Sequence, residues 1–351
     1  MAKKNIVKIE ANELSKEAKV SMKTRIVSGI IGICVAFPLI FLGDYFIIAL
    51  LAFALIVGVI EILKSAKKKY SIWLYIVSCG FAFVITFWPI IRSLFDSIVY
   101  TAGITDSGVK IADWRIFHAF QTFNAESPLA GLSIPITAII VGALLLFLFV
   151  VLDPGFEVRD ACFTFTMILL ISLGVQSVVY LRLIPVSEYH VLYEAPYFNL
   201  FDNLQSCLLF IYAIIGTFVT DIGAYFIGVF FGKHKMNPRI SPKKTWEGFI
   251  GGNVISFAVS FLFAFLFAIN GMPIGPNLTA ENWYIILIIS LIMPLLSVLG
   301  DFIFSSIKRH NGIKDFGNIL PGHGGVLDRI DSLITTCLVV ALIVSLVVYW
   351  G

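Results

Sequence analysis

The sequence has few charged residues for its length. Asp, Glu, Lys and Arg make up 13% of the 351 residues, whereas 59% are hydrophobic. A soluble domain carries about a quarter charged residues, so this shortage argues against a soluble protein and indicates one that crosses a membrane several times. The net charge of +3 is also small, and no nucleic-acid partner is expected.

Cysteine is scarce as well, and its distribution forms no metal or redox motif. The chain has five cysteines, an odd number, with no Cys-x-x-Cys pair. All of them lie inside apolar segments, where a free cysteine behaves as a small hydrophobic residue. We therefore expect neither disulfides nor zinc ligands at Cys34, Cys79, Cys162, Cys207 and Cys337.

What the chain has in abundance is apolar sequence. After a polar, lysine-rich start come nine apolar runs close to the ~20 residues that a spanning helix needs. Backbone polar groups in lipid must be bonded internally. The sequence therefore predicts an all-α, polytopic membrane protein with about nine transmembrane helices and no cleavable signal. The predicted helices cover residues 25–43, 45–63, 71–91, 133–152, 161–182, 205–231, 248–270, 283–307 and 328–350.

Lys and Arg are unevenly divided between the two ends of these helices. With the N-terminus in the cytoplasm, 21 of the 25 basic residues fall on the cytoplasmic side, as is usual for membrane proteins. Nine crossings then place the C-terminus outside. We divide the chain into a cytoplasmic segment 1–24, which is either a short interfacial helix or disordered, N-terminal transmembrane helices 25–200 with an outer aromatic loop 92–132, and a C-terminal transmembrane region 201–351 that holds the chemistry.

Acidic residues within the predicted helices are candidates for a functional site, because a charge at the bilayer centre costs at least ~2.5–3.5 kcal/mol on insertion scales. Asp221 lies roughly 15 Å from the cytoplasmic end of its helix. Small residues follow it at four-residue spacing, which favours close helix packing. The alternative is a structural acid that is bonded to the hydroxyl of Thr217 or Thr220.

Two further acids lie near helix ends. Asp44 is expected in the turn between the first two helices. Glu61 lies one turn before Lys64, and it either pairs with that lysine or lines a site.

The eighth predicted helix carries a polar face near its cytoplasmic end. Asp301, Ser305 and Lys308 are spaced by four and three residues, so they share one side of the helix. An acid with a hydroxyl and a base beside it fits a Mg²⁺ ligand.

Two acids three residues apart, Asp328 and Asp331, begin the ninth helix. The helix dipole favours carboxylates there, and a phosphate can bind at the same place. A helix cap is the alternative for Asp328, but a cap does not account for Arg329 and a second acid.

Two polar loops complete the candidate site. The loop 232–248 contains Ser241-Pro242, which predicts a helix start, followed by Lys244 and Thr245, which we interpret as substrate-binding residues. The alternative is that its positive charges serve only membrane topology. The stretch 305–331 combines acids, bases and glycines, a mixture that suits a phosphorylated substrate held by a divalent cation. A basic, flexible cytoplasmic loop is the simpler interpretation.

This stretch resembles the signature of the phosphatidate cytidylyltransferase (CDP-diacylglycerol synthase) family at every fixed position. Two shorter segments, 221–228 and 241–248, also resemble recurring stretches of that family, so the likeness is sharp over roughly residues 220–335. The matching signature residues are Ser305, Lys308, Arg309, Lys314, Asp315, Gly317, Pro321, His323, Gly324, Gly325, Asp328, Arg329 and Asp331.

The resemblance implies a multi-pass enzyme of the plasma or inner membrane that joins CTP and phosphatidate into CDP-diacylglycerol and pyrophosphate, with its active site facing the cytoplasm. It also implies Mg²⁺ on Asp301 and Asp328, and a monovalent cation such as K⁺ beside it. Asp221 and Asp331 would orient these ligands or hold the second cation, and Lys308 and Arg309 complete the catalytic set. The residues expected to bind substrate are Ser241, Lys244, Thr245, Glu247, Ser305, Lys314, Asp315, His323, Gly324, Gly325 and Arg329.

Three points stay open at this stage. A homodimer is possible. A CTP-dependent polyprenol or phytol kinase, or a synthase acting on an archaeal ether lipid, has a similar build, although the complete signature disfavours the kinase. An ion-coupled transporter is disfavoured because the acids cluster at one end of the helices instead of crossing the bilayer.

Overall fold

A computed structural model of the chain describes the backbone of residues 16–42, 44–100, 134–183, 200–275 and 277–350. Nine α-helices lie in these ranges and follow the order of the nine predicted helices. They are α1 (Lys16–Leu42), α2 (Asp44–Ser65), α3 (Ile72–Tyr100), α4 (Ile134–Leu152), α5 (Val158–Leu183), α6 (Leu200–Phe231), α7 (Trp246–Ile269), α8 (Trp283–His310) and α9 (Leu327–Trp350).

Most of these helices can cross a membrane. Within the described residues, six are long and apolar enough to do so, and α1, α3 and α4 contain shorter apolar segments. The length and composition of the helices support a polytopic membrane protein, as the sequence predicted. Asp44, which was expected in a turn, is instead the first residue of α2, and residues 16–24 belong to α1. Residues 1–15 and most of the predicted outer loop lie outside the described residues.

A two-stranded antiparallel sheet connects α6 and α7. Strand β1 (Lys235–Asn237) pairs with β2 (Ser241–Thr245). The predicted helix start at Ser241-Pro242 is therefore wrong. The backbone N–H of Trp246 donates to the carbonyl of His234 across the hairpin (2.9 Å), so the chain stays extended until the hairpin closes and α7 begins at Trp246.

The interface between α6 and α7 is built from small residues, as the four-residue spacing predicted. A Cβ added to Gly252 would lie 2.7 Å from the backbone nitrogen of Ala224, and one added to Gly223 would lie 3.1 Å from the Cα of Gly252. Such a close approach of two backbones is possible only where side chains are absent or small. The backbones of the two helices are therefore in close contact next to the segment that carries Asp221.

Two hydrophobic clusters form the interior. The first joins α2, α3 and α5 to residues of the C-terminal region, including Phe304 and Leu327. The second joins α6, α7, α8 and α9, with Tyr212 and Met293 fully buried. Both clusters include residues of α5 and α9, so the two predicted transmembrane regions share their core.

Four connecting segments meet at one end of the bundle, and one of them is the hairpin, whose Ile240 carbonyl accepts from Arg309 at the end of α8 (3.3 Å). Lys67 donates to the carbonyl of Gly312 (2.9 Å), Asn311 donates to Ser65 (2.8 Å), and Lys68 forms an ion pair with Asp160 (2.6 Å). At the opposite end, the buried Arg182 donates to the carbonyls of the last turn of α1. The basic segments that were predicted to share one side of the membrane therefore do lie at one end of the molecule.

Candidate functional site

The candidate site lies at the end of the bundle where the hairpin and the glycine-rich loop meet. Arg309, in the last turn of α8, donates from Nε to the carbonyl of Ile240 in the hairpin (3.3 Å) and from Nη1 to the carbonyl of Ile313 (3.0 Å). Its side chain therefore joins the two loops that the sequence singled out, and it is exposed at their junction.

A buried lysine links α8 to the two acids at the start of α9. The Nζ of Lys308 lies 2.9 Å from Oδ1 of Asp328 and 3.6 Å from Oδ2 of Asp331. All three residues are less than 10% exposed, and a buried charge needs such partners. The sequence placed Lys308 on the same helix face as Asp301, but its ammonium group instead contacts the neighbouring helix.

Asp328 also holds the backbone of the glycine-rich loop. Its Oδ2 accepts hydrogen bonds from the N–H groups of Phe316 (2.7 Å) and Gly325 (3.0 Å). The loop closes on itself through reciprocal backbone bonds between Leu320 and Gly324 (2.9 and 3.1 Å). Gly324 has a φ of +87°, a conformation that glycine adopts without steric cost. Asp328 is thus both a candidate ligand and an anchor for this loop.

Asp301 is held by the second loop. It forms an ion pair with Lys244 of β2, and Ser305 donates to its Oδ1 (3.2 Å), which confirms the predicted proximity of Asp301 and Ser305. The ammonium group of Lys244 also lies 4.7 Å from the centre of the Phe302 ring. Each candidate metal ligand therefore has a lysine as its counter-ion.

Asp221 lies close to the same group of charges. Its carboxylate interacts electrostatically with Lys244, Asp301 and Asp331, and Asp331 in turn interacts with Asp301 and Asp328. The structure thus brings the four predicted acids into one neighbourhood, in which Asp331 interacts with all three of the others.

The structural alternative for Asp221 is wrong. The hydroxyl groups of Thr217 and Thr220 donate to the carbonyls of Ala213 (2.9 Å) and Gly216 (2.5 Å) within their own helix. Asp221 itself is exposed on the surface of the bundle, and these two hydroxyl groups donate elsewhere.

The donor set fits a hard cation that is shared with a substrate. Mg²⁺ prefers oxygen ligands and is commonly bound by one or two carboxylates together with substrate phosphates. Among the described residues, no three acidic, His or Cys side chains are close enough to hold a metal ion by themselves. Lys244 and Lys308 balance the carboxylates of Asp301 and Asp328 here, and these oxygen donors fit a cation that also binds phosphate oxygens.

A polar cavity of about 490 Å³ opens beside this cluster in the glycine-rich loop. Five of the residues that line it were predicted to bind substrate. They bring two positively charged side chains, one carboxylate and one imidazole to its wall, which suits an anionic ligand. The lining residues are Lys314, Asp315, Asn318, Leu320, Gly322, His323, Gly324 and Arg329.

The first helix reaches this cavity wall, which the sequence did not indicate. Ser28 of α1 donates to the carbonyl of Pro321 (2.7 Å), and its Oγ lies 2.8 Å from Nδ1 of His323. Gly29 faces the same imidazole. The contact joins residues almost 300 positions apart, and no local pattern in either segment points to the other.

The remaining predicted residues of the hairpin have structural partners. Thr245 caps α7 by accepting a hydrogen bond from the N–H of Gly248 (3.2 Å). The carboxylate of Glu247 accepts from the N–H of Lys233 (3.1 Å) and lies 2.6 Å from Nδ1 of His234. Ser241 pairs with Asn237 in the sheet. Substrate binding by these three stays a prediction.

Glu61 contacts the segment that begins α9, next to the candidate site; the sequence left open whether it pairs with Lys64 or lines a site. It is 3% exposed, and its two carboxylate oxygens accept hydrogen bonds from the N–H groups of Val326 (3.0 Å) and Leu327 (2.9 Å). The residue therefore contacts the start of α9, whereas Lys64 contributes only a weaker electrostatic interaction. The position of Glu61 within an apolar run was the sequence signal for a functional residue. The sequence did not indicate that the start of α9 is the partner of Glu61.

Comparison with known proteins gives one family. The model of the Cytidylyltransferase family matches residues 23–347. The chain is similar to phosphatidate cytidylyltransferases of Staphylococcus haemolyticus, at 44% identity over 122 residues (35% of this chain and 43% of that protein), and of Haemophilus influenzae, at 42% over 132 residues (38% and 44%). That of Staphylococcus aureus strain COL is 46% identical over 122 residues (35% and 43%). The chain thus spans less than half the length of these curated relatives.

Proposed function

Because this chain belongs to the cytidylyltransferase family, we propose that it is a membrane nucleotidyltransferase that converts CTP and phosphatidate into CDP-diacylglycerol and pyrophosphate. The names of its relatives support this substrate pair. The observation that carries the proposal is the cluster of four acids and two lysines, beside a cavity with basic side chains, at the end of a bundle of apolar helices.

The reaction is a displacement at phosphorus. A phosphate oxygen of phosphatidate attacks the α-phosphorus of CTP, a new P–O bond forms, and the bond to the bridging oxygen breaks with its electron pair leaving on pyrophosphate. Both substrates are anions, so catalysis depends mainly on positioning and on neutralising charge. The attacking phosphate is already ionised at neutral pH, and no general base is needed.

The basic residues divide between the two loops. Lys314, Arg329 and His323 line the cavity and bind the phosphates of CTP in our proposal. Lys244 and Arg309 stand where the hairpin meets α8, and Lys308 stands behind the acids. Together they offset the negative charge that develops on the leaving pyrophosphate.

Asp301 and Asp328 are the proposed ligands of one Mg²⁺. The metal, when bound, neutralises phosphate charge and polarises the phosphorus for attack. Lys244 and Lys308, which pair with these carboxylates, would be available to contact the phosphate groups of the substrates when the carboxylates hold the ion. Asp331 and Asp221 orient the ligands or hold a second cation such as K⁺.

The proposed location is the plasma or inner membrane, with the cavity facing the cytoplasm and nine spanning helices. CTP reaches the cavity from the cytosol, while phosphatidate enters from the inner leaflet. The exposed position of Asp221 on α6, within a helix long enough to span the membrane, supports an approach from the lipid side. A homodimer stays a prediction.

A labelling experiment tests the activity. Purified protein is incubated with Mg²⁺, vesicles containing phosphatidate, and CTP that is radiolabelled on either its α- or its γ-phosphorus. We expect the α-label in the lipid fraction and the γ-label in pyrophosphate. Vesicles without phosphatidate, and the Asp301→Asn variant, are the controls that give no labelled lipid.

The same experiment separates the alternatives. A CTP-dependent lipid kinase would place the γ-label in the lipid when a polyprenol or phytol is supplied. If CTP is not consumed with any of these lipids, the proposed activity is wrong and the ion-coupled transporter becomes the better explanation.

A further inference from the structure

Glu61 lies beneath the glycine-rich loop, although it comes from the second helix of the chain. Its two carboxylate oxygens accept from the consecutive N–H groups of Val326 and Leu327. A carboxylate can only accept hydrogen bonds, and the first N–H groups of a helix have no partner within the helix. Glu61 of α2 therefore caps the N-terminus of α9, although it is distant from α9 in the sequence. The dipole of α9 favours a carboxylate at this position.

Two glycines of the loop are shaped around this carboxylate. A Cβ added to Gly317 or to Gly325 would overlap Oε1 of Glu61, with the Cδ of Glu61 only 2.9 or 2.6 Å away. Neither glycine has a positive φ, so their backbone conformation does not require glycine. The carboxylate of Glu61 occupies the space that a side chain at either position would need. Both positions therefore require glycine because of Glu61, and not because of the conformation of the loop.

Glu61 and Asp328 together hold three consecutive N–H groups. Gly325 donates to Oδ2 of Asp328 (3.0 Å), and the next two residues donate to Glu61. The buried Lys308 neutralises Asp328 from the other side. A shift of the Glu61 carboxylate would thus move the first turn of α9, and with it the proposed metal ligand.

We propose that Glu61 is a positioning residue for cytidylyl transfer, which sets the place of Asp328 through the backbone of residues 325–327. The proposal rests on the proposed function for its kinetic part, while its structural part stands on hydrogen bonds alone. Glu61 is not among the residues that line the cavity, so we expect its substitution to act on the rate of the chemical step more than on the binding of CTP.

The principal test is the isosteric substitution Glu61→Gln. An amide offers one acceptor oxygen and turns an NH₂ group toward the second N–H, so one of the two bonds is lost. We expect kcat to fall ~10–100-fold, the range found for residues that orient metal ligands, while the KM for CTP changes less than about threefold because the cavity side chains remain. Glu61→Asp, which keeps the charge but is one methylene shorter, restores part of the rate.

Hydrogen exchange supplies a measurement that does not depend on activity. In Glu61→Gln, the amide of residue 326 or 327 that loses its acceptor should exchange at least about tenfold faster, because it no longer donates to a carboxylate oxygen. Glu157→Gln is the matched control: it makes the same chemical change on an exposed side chain at the same end of the bundle, and both measurements should stay at wild-type values.

The glycines give a test by compensation. Gly317→Ala should lower kcat in the wild-type background because its methyl group meets Glu61. The same substitution should cost less in the Glu61→Asp background, in which the carboxylate is withdrawn.

Three results would overturn the proposal: unchanged exchange at residues 326 and 327, a Glu61→Gln variant with wild-type kcat, or a loss that is confined to the amount of folded protein. If the wild-type protein makes no CDP-diacylglycerol, the proposed function fails, while the exchange measurement still decides whether Glu61 holds the start of α9.

Discussion

At the scale of single residues, the site is a balance of fixed charges. Asp301 faces Lys244, and Asp328 faces Lys308. A buried carboxylate without such a partner would be strongly unfavourable. The lysines therefore stabilise the acids in place without a bound cation. In the proposed function they would contact phosphate oxygens when the acids hold Mg²⁺.

The proposal that Asp301 and Asp328 share one Mg²⁺ makes a prediction about non-additivity. Asp301→Asn and Asp328→Asn keep the shape of each side chain and remove its charge, and each should lower kcat/KM by at least ~100-fold, the upper range for the partners of metal ligands. Because both act through one ion, the double variant should be little worse than either single variant. Kinetics with the lipid substrate measure this, with Glu281→Gln at an exposed position as the control.

Losses that multiply in the double variant would show that the two acids work independently. Expression and detergent melting of Asp301→Asn should stay close to wild type. Asp328→Asn also leaves the buried Lys308 with Asp331 as its remaining acidic partner, so the kinetics of all variants are compared at equal amounts of folded protein.

At the scale of secondary-structure elements, the contact between α6 and α7 supports the segment that carries Asp221. The added methyl group in Gly252→Ala would lie 2.8 Å from both the Cβ of Ala224 and the carbonyl oxygen of Thr220, so the helices must separate. We expect a destabilisation of ~1–3 kcal/mol, as in other overpacked interiors, seen as a lower apparent melting temperature in detergent.

Gly80→Ala is the matched control for this prediction. It is also within a helix, but no atom lies within 4 Å of the added Cβ, and alanine favours helix more than glycine does. It should melt at or above the wild-type temperature. If Gly252→Ala and Gly80→Ala had equal apparent melting temperatures, the α6–α7 contact would not be tightly packed.

The elements themselves were largely predictable, because long apolar runs have few structural choices in lipid. The start of α7 was not. Ser241-Pro242 has the composition of a helix start, yet pairing with β1 keeps it extended, and Thr245 takes the capping position. The sequence Thr-Trp-Glu-Gly did contain that signal, a threonine followed by an acid in the first helical turn.

The site was predictable as a set of residues and much less so as a set of contacts. The motif identified five of the eight residues that line the cavity, and helix spacing predicted the proximity of Asp301 and Ser305. The bonds from Ser28 to the loop and from the loop to Glu61 each span more than 260 residues. Contacts of that range depend on how the whole bundle packs, and no local period in the sequence encodes them.

At the scale of the whole molecule, the common end of the four loops makes a prediction about topology. The segments that contain Lys69 and Lys235 lie at the end that we propose to be cytoplasmic, and the exposed Met272 lies in the connection between α7 and α8 at the other end. In a background without native cysteines, Lys69→Cys and Lys235→Cys should react with an impermeant thiol reagent only from the cytoplasmic side, and Met272→Cys only from outside.

Reaction of Met272→Cys from the cytoplasmic side would reverse the proposed orientation. Reaction of the two lysine positions from different sides would contradict the arrangement of the loops itself.

The bond between Glu61 and Leu327 also has a consequence for how the protein is made. The two residues are 266 positions apart, and at about 5–20 residues per second the ribosome needs roughly 13–53 seconds to travel from one to the other. Throughout that interval α2 has already been synthesised, while the partner of its acid does not yet exist. Of the described helices, α9 is thus the last to be synthesised, and a chain released before α9 is made would leave the Glu61 carboxylate without these two hydrogen-bond donors in an apolar helix.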